Sequence, residues 1–88
     1  MLKLKIELNY CRIKLNGMEE IICADGFKRK VNTFRVDSIT KSGKSAICVF
    51  YNNNFSITDL CKRITYKNGE MNVTINGNVY KIGNYIEY

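Results

Sequence analysis

With 88 residues, 45% of them hydrophobic, the chain is expected to form a single domain over 1–88 around one core. Its stability should be modest, roughly 5–10 kcal/mol, so oligomerisation would be a natural way to add to it. Fourteen Lys and Arg against eight Asp and Glu give a net charge of +6, which excludes an acidic mimic of DNA and favours polyanionic partners.

Proline, histidine and tryptophan are absent while Asn, Ile and Lys abound, a composition that A/T-rich codons produce in A/T-rich bacteria, phages and plasmids. Cys11, Cys23, Cys48 and Cys61 form no CxxC pair and have no histidine to complete a zinc shell, so neither a metal nor another cofactor is expected. The opening MLKLKIELNY alternates apolar and charged residues, unlike a signal peptide or membrane span. A cytoplasmic protein with reduced thiols and no membrane contact is the expectation.

Period-two alternation begins at once, with Leu2, Leu4, Ile6, Leu8 and Tyr10 on one face. The phase then flips to Cys11, Ile13 and Leu15, which predicts one long strand with a bulge or bend near Tyr10, able to serve two walls of a barrel. Asn16-Gly17 suits a two-residue hairpin turn returning through 18–24, which would set Leu15 against Met18 and leave Cys11 and Cys23 on opposite faces.

Asp25-Gly26 marks the next turn and opens the strand FKRKVNTFRVDSIT. A two-residue turn at Ser42-Gly43 would oppose Lys41 and Lys44. A three-residue loop with Gly43 left-handed instead pairs Phe34 with Phe50 and Val36 with Cys48, making one face continuously apolar. Beyond three asparagines, FSITDLCKRI predicts one short helical turn near 56–62, capped by Ser56 with Asp59 in its first turn.

Two Asn-Gly corners follow, placing Lys67 opposite Glu70 and Val73 opposite Tyr80. They define a meander with Ile64, Tyr66, Met71, Val73, Tyr80 and Ile82 on its apolar face. Gly83-Asn84 reads as a last turn. The fold class is therefore mostly β, an antiparallel meander or small barrel of five to seven strands.

The stretch 31–64, read as VNTFRVDSI, GKSAICVFY, NFSITDL and CKRI, resembles the small SH3-like and Sm-like barrels, where a hairpin, a short strand and a 3₁₀ turn lead into the closing strand. What the resemblance implies is fold alone.

SITKSGKS lacks only the first glycine of a phosphate-binding loop. Such a loop must lead into a helix, and the strand-like AICVFY follows instead, so a plain hairpin loop is expected. Lys28, Arg29, Lys30 and Arg35, bracketed by Phe27 and Phe34, supply cations for phosphate and rings for bases. On an ideal strand Arg29 and Arg35 share one face and Lys28, Lys30 and Phe34 the other, so a solvated charge run and a functional patch both fit.

Lys62, Arg63 and Lys67 make a second basic group, and Lys41 and Lys44 sit at a loop tip. Tyr85 and Tyr88 follow the last turn, where an interface role and ordinary packing are equally open. Without histidine no cysteine has an activating base, and the carboxylates show no catalytic spacing, so no enzyme is expected.

The leading expectation is a non-catalytic small β module that binds nucleic acid or a ribonucleoprotein through Lys28, Arg29, Lys30, Arg35, Lys62 and Arg63. A phage or mobile-element protein that inhibits a host defence complex, as anti-CRISPR proteins do, is the alternative. An oligomer that sequesters an anionic nucleotide is a third.

Overall fold

The computed structural model describes residues 4–23 and 25–87, with backbone alone at 59–61. Seven strands appear in chain order: β1 (Leu4–Leu8), β2 (Ile13–Ile22), β3 (Lys28–Ile39), β4 (Ser45–Tyr51), β5 (Ser56–Lys67), β6 (Glu70–Ile75) and β7 (Asn78–Glu87). Every pairing is antiparallel, and the lateral order is β1-β7-β6-β5-β4-β3-β2. Successive strands are neighbours throughout, with one exception. β1 lies at the edge opposite β2, although only residues 9–12 separate them.

That exception forces curvature. Laid flat, seven strands put the two edges about 29 Å apart, whereas the link from Leu8 to Ile13 reaches about 18 Å at full extension. The molecule's two shorter dimensions, 23 and 21 Å, fit a rolled sheet. The result is a curled half-barrel whose two walls meet along the twelve-residue β5. The first part of β5 pairs with β4 (Ser56 with Tyr51, Arg63 with Ser45), and its last part pairs with β6 from Ile64 to Lys67.

Between the walls lies one apolar core. Phe34, Val36, Cys48 and Phe50 from one wall meet Met71, Val73, Tyr80 and Ile82 from the other. The Phe34 ring lies 5.8 Å from that of Phe50 and meets Tyr80 edge-on at 5.5 Å. The seam is closed outside the core by Asn76, whose Nδ2 donates to Glu19 Oε2 and to the Glu20 carbonyl of β2.

Several sequence expectations hold. Phe34 pairs with Phe50 and Val36 with Cys48, and Gly43 is left-handed at φ 72°. The loop is one residue longer than expected, running over 41–44 inside the Thr40–Ser45 hydrogen bond, and a one-residue irregularity between Val36 and Ser38 restores the register. Lys44-Ser45 leads into β4, as a hairpin loop requires. Asn68-Gly69 and Asn76-Gly77 have positive φ at both positions, 51°/79° and 50°/83°, and pair Lys67 with Glu70 and Val73 with Tyr80.

Four expectations are corrected. Asn16-Gly17 is not a hairpin: only Gly17 has positive φ, and β2 continues through it, with residues 15–18 bulging out between the Lys14–Thr33 and Glu19–Val31 pairs. The bend near Tyr10 is a true strand break. Asn9 Oδ1 accepts the Cys11 amide in a side-chain turn that ends β1 and re-aims the chain.

The helical turn near 56–62 is strand, because β5 takes its hydrogen bonds from β4, and the preceding turn is held by Asn52 Oδ1, which accepts the amides of Asn54 and Phe55. Asp59 falls in this strand as well, opposite Cys48. Gly83-Asn84 is not a turn either. β7 runs through it between β6 and β1, and Gly83 is needed because a Cβ there would strike the Glu7 carbonyl.

Candidate nucleic-acid interface

Side chains of β2, β3 and β4 that do not enter the core form the outer face of one wall. Register builds it in rows: Lys14 beside Thr33 beside Tyr51, with Arg35 beside Val49 in the next. Arg12, just before β2, extends over Tyr51 with its guanidinium carbon 4.3 Å from the ring centroid. At the edge of the ring Arg35 Nε donates to the Tyr51 hydroxyl at 2.6 Å. One tyrosine is therefore held by two guanidinium groups on a surface strand.

The electrostatics leave this face cationic. Asp37 approaches Arg35 at 3.8 Å, a solvated pair that stabilises little but offsets part of the Arg35 charge, so the surplus on this face comes from Arg12, Lys14 and Lys30. Arg12 and Lys14 have no ion-pair partner among the described residues. Lys30 is exposed nearby, its carbonyl accepting from Asn52 Nδ2 at 3.0 Å, which ties β3 to the turn after Tyr51.

The six sequence-predicted cations are divided among four places. Lys30 and Arg35 share the outer face, which reverses the ideal-strand assignment. Val31 and Phe34 are both buried, so β3 changes phase between them, where its register with β2 shifts. Arg29, beside buried Ile21, is spent on Asp25 at 2.8 Å and lies 5.7 Å over the Phe27 ring. That bond holds the Asp25 carboxyl below its ordinary 3.8, helped by the Phe27 amide, and pushes Arg29 up.

Lys28 and Lys62 line a second groove with Glu20, Ile22 and Asn76, where Lys28 lies 3.9 Å from Glu20. Arg63 lines a third with Lys44. Tyr85 meets the Tyr66 ring edge-on at 5.2 Å and is partly buried. Tyr88 lies outside the described residues. Arg12, Lys14 and Tyr51 were missed from sequence, since only strand pairing brings them to Arg35.

Cys23 and Cys48 are buried, Cys11 is exposed, and all three are free thiols. Among the described residues no three His, Cys, Asp or Glu side chains converge as a metal site would require. The fold thus defines an all-β half-barrel with a cationic, tyrosine-bearing outer wall. Comparison with known proteins finds no matching family model, curated protein or solved structure.

Proposed function

We propose that this chain is a non-catalytic binding module of the SH3-like or Sm-like kind that takes single-stranded nucleic acid on the outer face of β2, β3 and β4. The reading is carried by Tyr51, held by Arg12 and Arg35. The Tyr51 ring, fixed by the two guanidinium groups, offers a surface to a base, while Arg12, Lys14, Lys30 and Arg35 answer the phosphates. Such binding tolerates many sequences and weakens with salt.

Electrophoretic retardation of labelled single-stranded RNA and DNA at two salt concentrations tests it. Wild type should retard at least one of them at low salt. Tyr51→Ala should lower affinity about 5- to 100-fold, the range for one stacked base. Lys14→Ala should reduce the salt slope by about 0.7. No retardation at low salt refutes the reading.

A protein partner, as for an inhibitor of a host defence complex, is supported by a different feature. Ile22 and Phe27 expose 64% and 66% of their surface at the end of the β2–β3 hairpin. A stoichiometric partner that survives nuclease treatment and is lost with Phe27→Ser would favour this second reading.

A further inference from the structure

β1 covers only part of its own side of the half-barrel. Leu4 and Ile6 pair with Glu87 and Tyr85, so they point toward the interior as Leu8 does, yet they remain 38% and 36% exposed. At this end the opposite wall reaches them only through the start of β4 at Ser45 and through Arg63 and Ile64 of β5. What otherwise faces them is the 41–44 loop, and the space between is a cleft of about 600 Å³ with Ile64 and Tyr66 completing its apolar wall.

The loop is held rigidly at the rim. Tyr66 donates its hydroxyl to the Gly43 carbonyl at 2.6 Å, Ser42 Oγ accepts the Lys44 amide at 3.3 Å, and Gly43 bonds back to Thr40. These bonds engage the Ser42 hydroxyl and the Gly43 amide and carbonyl but leave the charges of the rim unanswered. Lys44 and Arg63 both line the cleft, and neither has an acidic partner among the described residues. An apolar wall and two cations therefore meet in one concavity of the size that small-molecule sites occupy.

We infer that this cleft binds an amphipathic organic anion, its carboxylate or phosphate head at Lys44 and Arg63 and its apolar body along Leu4, Ile6 and Ile64. A head group alone would leave the wall wet. An uncharged apolar molecule would leave two cations unpaired beside it. This inference is independent of the nucleic-acid reading, which uses other residues.

Amide NMR spectra of the whole chain, titrated separately with decanoate, adenosine monophosphate, inorganic phosphate and decanol, test it. Decanoate or adenosine monophosphate should shift the amides of residues 42–45 and 63–66, and which of them does so tells a chain-like from a ring-like body. Phosphate and decanol should bind at least tenfold more weakly. Lys44→Ala with Arg63→Ala, both surface changes, should weaken the anion about tenfold or more, with the rest of the spectrum unchanged.

Ile6→Ser should weaken it as well, while Tyr51→Ala should leave it as in wild type. The inference fails if neither organic anion moves these amides, if phosphate binds as tightly, or if the double variant binds like wild type. It also fails if the double variant abolishes retardation of RNA, which would make the cleft part of the nucleic-acid surface.

Discussion

Asp25 and Arg29 show what a charged residue can look like in sequence and become in structure. Arg29 reads as one of a basic run, yet a carboxylate four residues earlier engages it at 2.8 Å and leaves little charge to offer a partner. Because the folded Asp25 carboxyl sits below its ordinary 3.8, the unfolded chain binds more protons as pH falls. The stabilisation is complete above 3.8 and is lost as pH drops through the folded value. An NMR titration of the Asp25 carboxyl should place its midpoint below 3.8, and Arg29→Gln should return it toward that value. Arg35 was legible as one cation of the basic run. Tyr51 was not legible at all, because its meaning comes from Arg12, 39 positions away and two strands over.

At the level of elements, corners were read well wherever two residues both required positive φ, and misread wherever one glycine served another purpose. Gly77 and Gly83 make the contrast measurable. Gly77 has φ 83° with open space around it, so Gly77→Ala should cost only the left-handed penalty, about 1–2 kcal/mol. At Gly83 no unusual φ is needed, but an added Cβ would meet the Glu7 carbonyl and come within 3.1 Å of Leu8 Cα. Gly83→Ala should cost about 2–3 kcal/mol by forcing β1 away. Urea denaturation gives both values, and amide exchange should show β1 loosened in the second variant alone. The 56–62 segment was misread for a related reason: its capping pattern is local, whereas the hydrogen bonds of β4 are not.

For the whole molecule, alternation was enough to establish an antiparallel β fold and to identify its core, since Phe34, Phe50, Met71, Val73 and Ile82 are all fully buried. It was silent on the pairing of β1 with β7, because an amphipathic strand carries no mark of its neighbour. Phe34 is where the two walls depend on each other. Phe34→Ala should remove about 3–5 kcal/mol, much of the stability available to a chain this size. Loss of sheet signal and of tyrosine burial should then coincide in one transition at lower denaturant. Separate transitions would mean that the walls hold themselves up independently.

β1 also stands apart in time. Every other lateral pairing joins consecutive strands, but Leu4 meets Glu87 across nearly the full length of the chain. Closing so long a loop carries the largest entropic penalty in the sheet, and its return is five residues paired along one side only. β1 should therefore zip up last during folding and open first afterwards, its amides exchanging fastest of all the strands. Since Leu4 and Ile6 form one wall of the cleft, an occupant there would act as a latch, slowing exchange in β1 while leaving β3 unaltered.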